Sequence, residues 1–276
     1  MLWLYVTLAS LLGFLLLTAL IYLLILVRPT KKIKPDPVLL CDYAHRGLHG
    51  DGNPENSRAA FARACEEGFG IELDVQLSRD GVVMVFHDAT LVRMTGRDGK
   101  LCDYTSDELR TFRLADSDET IPTFEEVLAL VDGRVPLLVE LKGGTTNVAL
   151  CPKVAALLRD YRGPYCIESF NPILLGEMRK HLPHAFRGML YTNLCQKKKN
   201  YSLLNMLLSA MALNVVAKAD FIAYNQEYRD SLPVKITTKL YGAPHLVWTT
   251  RGDRERAEAK AHGEHAIFEL YEKKQG

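Results

Sequence analysis

The chain has 276 residues and a formal net charge of +1 at pH 7. This length suits one (β/α)8 barrel, which typically needs about 250 residues, with a short appendage. The near-neutral charge gives no overall attraction to nucleic acid, so we expect no nucleic-acid partner.

The N-terminus is the appendage. Residues 2–27 contain no charged side chain and are dominated by leucine, which exceeds the roughly 20 residues that a membrane span needs. A signal peptide is the alternative, but it would carry a basic start and an apolar stretch of only about 7 to 15 residues before a cleavage site. No basic side chain precedes residue 28. We therefore predict a transmembrane anchor at residues 1–27.

A juxtamembrane linker, rich in proline and lysine, is predicted at residues 28–37. Its basic side chains follow the span closely, at Arg28, Lys31, Lys32 and Lys34. Basic residues tend to lie on the cytoplasmic side, so we expect a single-pass protein with a cytoplasmic catalytic domain. The six cysteines are scattered without CxxC pairs, which suits a reducing compartment, although an even count leaves disulfides open.

Residues 38–276 alternate between strand-like and helix-like segments. Strands are predicted at 38–44, 71–76, 82–87, 136–141, 165–169, 186–191, 220–223, 245–249 and 265–268. Helices are predicted at 55–67, 124–131, 146–160, 172–181, 202–217 and 253–261. Eight strand–helix repeats favour a closed, TIM-type (β/α)8 barrel over an open doubly wound sheet. Residues 88–121, rich in Asp, Thr, Arg and Gly, break this pattern.

Two histidines follow hydrophobic runs. His45 comes after the first predicted strand, and His87 ends the run that begins at Val82. Each therefore reads as the last residue of a buried strand, held rigidly yet open to a cleft. A structural, hydrogen-bonded histidine is the plain alternative. The pairing of two histidines with nearby carboxylates favours proton transfer instead.

Three carboxylates stand at comparable positions. Glu72 and Asp74 lie two residues apart on a predicted strand and therefore share one face. Two such carboxylates repel one another if buried, unless a cation lies between them or solvent reaches them. With Glu140, at the end of another apolar run, they suit Mg²⁺ or Ca²⁺ better than Zn²⁺. Ion pairing with Arg46 or Lys142 is the alternative.

A series of motifs, in this order, resembles the core signature of glycerophosphodiester phosphodiesterases. The motifs span residues 41 to about 171 and include His45-Arg46-Gly47, Pro54-Glu55-Asn56-Ser57, Glu72-Leu73-Asp74, Ser78-Arg79-Asp80-Gly81, His87-Asp88, Ile121-Pro122-Thr123, Glu140-Leu141-Lys142 and Ser169-Phe170-Asn171. The chain departs from the family at Thr249-Thr250-Arg251, and in its last strand, which lacks the family's Thr-Asp pair.

The resemblance implies a TIM-type barrel with a small insertion at residues 88–121 that caps its substrate side, and it implies roles for residues of that barrel. Glu72, Asp74 and Glu140 would hold one divalent cation, and His45 and His87 would be the acid/base pair. Arg46 and Lys142 would face the phosphate. Glu55 would reach the metal or the glycerol, or else is only an acid near the start of a helix. Trp248 would be a wall against the glycerol, or barrel core.

The predicted function is metal-dependent hydrolysis of glycerophosphodiesters to glycerol 3-phosphate and an alcohol. A lysophospholipase D-like enzyme acting on membrane lipids is the first alternative, and it would need a more apolar mouth. The segment 201–208, after the run Lys197-Lys198-Lys199, would support it if exposed but not if it is a core helix. A noncatalytic, membrane-tethered binding module is the second alternative, because the fold alone does not define a chemistry.

Overall fold

The computed structural model describes residues 1–30, 33–143 and 148–270. Its strands are β1 (Tyr43–Ala44), β2 (Gly70–Leu77), β3 (Val83–Val85), β4 (Leu137–Leu141), β5 (Tyr165–Ser169), β6 (Phe186–Tyr191), β7 (Phe221–Asn225), β8 (His245–Arg251) and β9 (His265–Glu269). Eight of them are parallel and close into a barrel, because β1 pairs with both β2 and β9. The TIM-type prediction is confirmed. The exception is β3, which pairs antiparallel with β2 outside the barrel.

Helices follow most of the barrel strands. Their bounds are α1 (Leu2–Ile21), α2 (Arg58–Glu67), α3 (Val92–Thr95), α4 (Ser106–Leu109), α5 (Phe124–Val131), α6 (Leu150–Asp160), α7 (Pro172–His181), α8 (Leu194–Lys198), α9 (Leu203–Ser209), α10 (Asn214–Ala217), α11 (Leu232–Lys235) and α12 (Gly252–Ala261). Single 3₁₀ or π-helical turns lie at Tyr22–Leu26, Pro37–Leu39, Leu101–Asp103, Gln226–Tyr228 and Ile236–Leu240. The predicted helix 172–181 coincides with α7.

Local capping explains why α2 begins later than predicted. The Ser57 hydroxyl accepts a hydrogen bond from the Ala60 amide and so caps the helix, which starts at Arg58 rather than at residue 55. Glu55 therefore lies before the helix, and its interpretation as an acid of the first turn is wrong. At the other end, Gly68 adopts the left-handed conformation that ends many helices.

Three further boundaries differ from the predictions. The strand 38–44 shrinks to β1, because Asp36 caps a 3₁₀ turn that holds Pro37–Leu39. The helix 202–217 is broken into α9 and α10, with Met211 at a positive φ of 52° between them. The helix 146–160 begins at Leu150, and its first two predicted residues lie outside the described part of the chain.

The predicted insertion at 88–121 folds on a small core of its own. Its α3 and α4 cover buried side chains that it shares with β3, including Met84, Phe86, Leu91, Leu101, Leu109 and Ile121. This core is separate from the main core between the barrel and its helices and from the cluster inside the barrel. This small core thus holds the insertion in place beside the carboxyl end of β2.

The N-terminal segment Leu2–Leu26 is long and apolar enough to cross a membrane, with a mean hydropathy of 2.6 and an apolar window that is not buried in the protein. A signal sequence near an N-terminus would meet the same criterion. The end of this segment contacts the barrel through hydrogen bonds that pair Tyr22 with Ala210, Leu23 with Tyr241, and Val27 with Asn214.

Candidate active site

The predicted site residues converge at the carboxyl ends of the barrel strands. His45 follows β1, Glu72 and Asp74 lie on β2, and Glu140 lies on β4, paired in register with Asp74. A cleft of about 320 Å³ opens there, lined by side chains that include His45, Arg46, Glu72, His87, Glu140, Lys142 and Trp248. Barrel enzymes place their active sites at this end.

The three acids form one compact cluster. Carboxylate oxygens of Glu72, Asp74 and Glu140 lie within 4.8 Å of one another, and all three side chains are buried. Burial and the neighbouring carboxylates raise the pKa of Glu72 well above its usual range. Burial, aided by the charge of Asp74 and opposed by Lys142, raises the pKa of Glu140 to about 7. Such a set of hard oxygen donors fits a divalent cation such as Mg²⁺ or Ca²⁺.

Two cations face this cluster. The Lys142 Nζ lies 2.7 Å from Glu140 Oε1 and 3.0 Å from Asp74 Oδ1. The Arg46 Nε lies 3.6 Å from Asp74 Oδ2, and the Arg46 amide donates to Glu72 Oε2 at 2.8 Å. Although burial opposes ionisation, Lys142 and Arg46 hold the pKa of Asp74 below its usual range. Ion pairing therefore serves Asp74 and Glu140, whereas the Glu72 carboxylate accepts only a backbone hydrogen bond among the described contacts.

His87 belongs to a chain of charged partners. Its Nδ1 lies 2.6 Å from Asp88 Oδ1, and Arg93 Nε donates to Asp88 Oδ2 at 2.5 Å. Arg93 also donates to Glu55 at 2.6 Å, and Glu55 in turn accepts from Arg46 Nη1 at 2.7 Å. Although burial raises the pKa of Glu55, the two arginines lower it further than burial raises it. The insertion thereby connects with both His87 and Arg46.

His45 has the same kind of partners from a different strand. Its Nδ1 lies 2.8 Å from Glu269 Oε1, and Arg251 Nε lies 3.2 Å from Glu269 Oε2. Burial lowers the pKa of His45 and also of His87. Despite its own burial, Glu269 has a pKa lowered to about 2 by His45 and Arg251. An ionised carboxylate only accepts hydrogen bonds, so each neutral histidine donates from Nδ1 and keeps Nε2 as a proton acceptor.

Sequence reasoning missed several residues of this site. Glu168 is 1% exposed, lies in register with Glu140, and has one carboxylate oxygen without a hydrogen-bond partner among the described residues. Burial raises its pKa well above the usual range. Glu269, Arg251, Arg93 and Asn56 were also missed, and Asn56 donates to Asp74 at 2.8 Å. The available signal was an acid at the end of a predicted barrel strand, which Glu168 and Glu269 both satisfy.

Trp248 lies beside the cleft as a half-buried wall. Its Nε1 donates to the Ala223 carbonyl at 2.9 Å, which fixes the ring, and Phe170 packs edge-on against it at 5.5 Å between centroids. Lys197 Nζ lies 5.8 Å from the ring centroid and also lines the cleft. The run Lys197-Lys198-Lys199 thus begins on the short helix α8, and its first lysine lies at the mouth of the cleft.

This fold and site define a barrel hydrolase whose cleft combines buried acids, two cations and two carboxylate-held histidines. Residues 45–269 match the glycerophosphoryl diester phosphodiesterase family, and the chain belongs to this family of phosphoric diester hydrolases.

Known relatives agree with this assignment. The chain is 38% identical over 162 residues to a glycerophosphodiester phosphodiesterase of Caldanaerobacter subterraneus. The match covers 54% of this chain and 65% of the relative, so it spans slightly under two thirds of the relative's length. It is 42% identical over 174 residues to one of Bacillus altitudinis, covering 58% and 69%. An Oleispira antarctica phosphodiesterase, solved with the product sn-glycerol-3-phosphate, is similar in structure with a TM-score of 0.69, 25% identity and coverage of 84% and 93%.

Proposed function

We propose that this chain is a divalent-metal-dependent phosphodiesterase that hydrolyses glycerophosphodiesters to glycerol 3-phosphate and an alcohol. The observation that carries the proposal is the pair of histidines beside one buried carboxylate cluster, each with Nδ1 held by a carboxylate. Glycerol 3-phosphate is the product bound in the Oleispira antarctica relative, which supports the choice of substrate class.

Glu72, Asp74 and Glu140 would hold the metal, which supplies positive charge for the non-bridging phosphate oxygens. Arg46 and Lys142 would bind the same oxygens, because both cations line the cleft beside the acids. Stabilisation of developing charge by such fixed groups is usually the largest contribution to catalysis. Glu55 and Trp248 would position the glycerol.

The histidines would move the protons. Nε2 of one would accept the proton of the attacking hydroxyl, from water or a neighbouring glycerol hydroxyl, as that oxygen bonds to phosphorus. Attack by the glycerol hydroxyl would give a cyclic phosphate, which water would open in a second step to glycerol 3-phosphate. The other, protonated, would give its proton to the departing alkoxide as the bond from phosphorus to that oxygen breaks. Glu269 and Asp88 would hold the two rings in the productive tautomer.

Removal of either histidine tests this assignment. We expect His45→Ala and His87→Ala to lower kcat for glycerophosphocholine by about 10²- to 10⁴-fold while the circular dichroism spectrum stays unchanged. His184→Ala is the matched control, because His184 is exposed and lies outside the cleft. Chelation should abolish activity, and added Mg²⁺ or Ca²⁺ should restore it. Full turnover in chelator would rule out the metal, and an active His45→Ala enzyme would rule out the acid/base pair.

A lysophospholipase D-like activity is the second candidate. It is favoured by the exposure of Tyr201, Leu203 and Met206, which follow the cleft-lining Lys197 in the chain and which a core helix would have buried. A comparison of lysophosphatidylcholine with glycerophosphocholine as substrate separates the two activities. The same assay tests the noncatalytic alternative, which requires that neither substrate is hydrolysed.

We propose that residues 1–27 anchor the chain in a membrane and that residues 28–37 link this anchor to the barrel. The barrel domain, residues 38–276, would face the cytoplasm. The apolar segment Leu2–Leu26, the basic residues after it and six free cysteines support this arrangement. In sealed inverted membrane vesicles, an impermeant maleimide should label the exposed Cys102. Labelling only after detergent would contradict the orientation, and a mature protein that lacks residues 1–27 would show a signal peptide.

A further inference from the structure

One surface of the barrel exposes apolar side chains instead of burying them. Tyr201, Leu203, Leu204 and Met206 are 69%, 73%, 48% and 52% exposed, and together they form the surface that we call the α9 face. The buried side of the same helix holds Asn205, whose amide donates to the Asn200 carbonyl at 3.0 Å. Soluble proteins seldom group exposed apolar side chains in this way, and such patches commonly bind a partner or a membrane.

The α9 face continues into the N-terminal apolar segment. Just beyond α9, the Ala210 carbonyl accepts a hydrogen bond from the Tyr22 hydroxyl at 2.8 Å. The Tyr241 hydroxyl donates to the Leu23 carbonyl at 2.6 Å, next to Leu240, which is 63% exposed. Because α9 has seven residues, its far end lies only about 10 Å from this contact.

In the chain, the α9 face directly follows a cluster of positive charges that reaches the cleft through Lys197. Lys197, Lys198 and Lys199 are exposed immediately before it. Lys197 additionally lines the cleft and lies over Trp248. Apolar side chains bordered by lysines are the pattern of surfaces that insert among anionic headgroups, where the lysines are attracted to the lipid charge.

We propose that the α9 face inserts into the surface of the bilayer in which Leu2–Leu26 is anchored, so that the cleft takes a lysophospholipid from that bilayer. This rests on the proposed function, which supplies the anchor and the phosphodiester chemistry. The anchor fixes the distance between face and membrane, and the lysines match anionic lipid. A second copy of the chain would cover the apolar side chains equally well, but it would give no role to the lysines or to the anchor contact.

Fluorescence quenching tests the insertion without any turnover. A Tyr201→Trp variant in a Trp3→Phe background is placed, as full chain, in vesicles of phosphatidylcholine and phosphatidylglycerol with brominated acyl chains. A face buried to about 5–10 Å should lose emission roughly twofold more than the Trp3→Phe parent, which retains Trp248. Val92→Trp in the same background is the matched control, because Val92 is 52% exposed on the insertion, about half-way round the barrel.

The new tryptophan at position 201 is therefore expected to be quenched and that at position 92 not. Equal quenching at both positions, or none at either, would overturn the proposal. Burial of the tryptophan at position 201 that grows with protein concentration, and not with lipid concentration, would also overturn the proposal. It would show that a second copy of the chain covers the α9 face.

Turnover gives a second readout on the same vesicles. Replacement of Leu203, Leu204 and Met206 by Ser should lower hydrolysis of lysophosphatidylcholine by roughly tenfold and leave soluble glycerophosphocholine hydrolysis unchanged, because only the first substrate must be drawn from the bilayer. Val92→Ser should change neither rate. An unchanged lysophospholipid rate would contradict the proposal, and if the triple variant lowers both rates, the quenching result decides. A wild-type chain that hydrolyses neither substrate would refute the proposed function, whereas the quenching would still report on the face.

Discussion

Both histidines of the cleft have the same three-residue arrangement, in which a carboxylate holds Nδ1 and an arginine holds the carboxylate. For His45 the partners are Glu269 and Arg251, and for His87 they are Asp88 and Arg93. The arginine keeps the carboxylate ionised, and the ionised carboxylate fixes the tautomer of the ring. These partners come from different parts of the chain, so the same arrangement occurs twice around one cleft, from unrelated segments.

Glu269 is therefore expected to be a positioning residue for His45. A carboxylate beside an imidazole favours its protonated form, so Glu269→Gln should lower the pKa of His45 further. The limb of the pH profile of kcat/KM that His45 controls should move to lower pH by the same amount. The measurement is the pH dependence of kcat/KM for glycerophosphocholine together with an NMR titration of the histidine.

The exposed Glu227→Gln is the matched control and should leave the profile unchanged. A shift of the acid limb would identify His45 as the base, and a shift of the alkaline limb would identify it as the acid. A Glu269→Gln enzyme whose profile and histidine titration both stay in place would show that the hydrogen bond is only structural.

The sequence indicated His45 and the acids of β2 and β4, because each ends or occupies a recognisable apolar run. It did not indicate the partnership of His45 with Glu269, which depends on closure of the barrel. Ala44 pairs with Phe268 in register, so the next residue on each strand, His45 and Glu269, meet side by side. A contact between residues 224 positions apart has no local signal.

At the scale of elements, the predictions succeeded where the capping residues and the hydrophobic periodicity indicate the same helix boundary. The Pro172 start of α7 follows Asn171, whose side chain caps it, and Thr123 forms a capping box with Glu126 at the start of α5. Sequence patterns do not indicate what tertiary contacts decide. The predicted strand at 82–87 contains β3, but its antiparallel pairing with β2, which brings His87 to the cleft, has no local signal.

The insertion shows a related limit. Its polar composition indicated only a break in the alternation, whereas its apolar residues are few and widely spaced and still build a separate core. That core supports α3, from which Arg93 reaches Asp88 and Glu55. An element without periodicity thus fixes the position of the His87 side chain through Asp88.

For the whole molecule, barrel closure places four buried carboxyl groups at one end. Glu72, Asp74 and Glu140 form the cluster, and Glu168 lies on the next strand in register with Glu140. Among the described residues, Arg46 and Lys142 are the cations that contact this cluster. Repulsion among these carboxylates therefore opposes folding of the barrel. A bound cation would relieve that repulsion, and because it binds only the folded state it would stabilise the fold.

Metal binding should consequently stabilise the entire barrel. At Mg²⁺ or Ca²⁺ concentrations about 100-fold above Kd, stabilisation should reach about 2.7 kcal/mol and raise Tm by roughly 5–10 °C. Thermal unfolding of the full chain in detergent, followed by circular dichroism with and without the ion, measures this shift. Glu140→Gln should abolish most of the shift, whereas Glu125→Gln, at an exposed position of α5, should keep it. An equal rise in Tm for wild type and Glu140→Gln would place the ion elsewhere and refute the carboxylate cluster as its site.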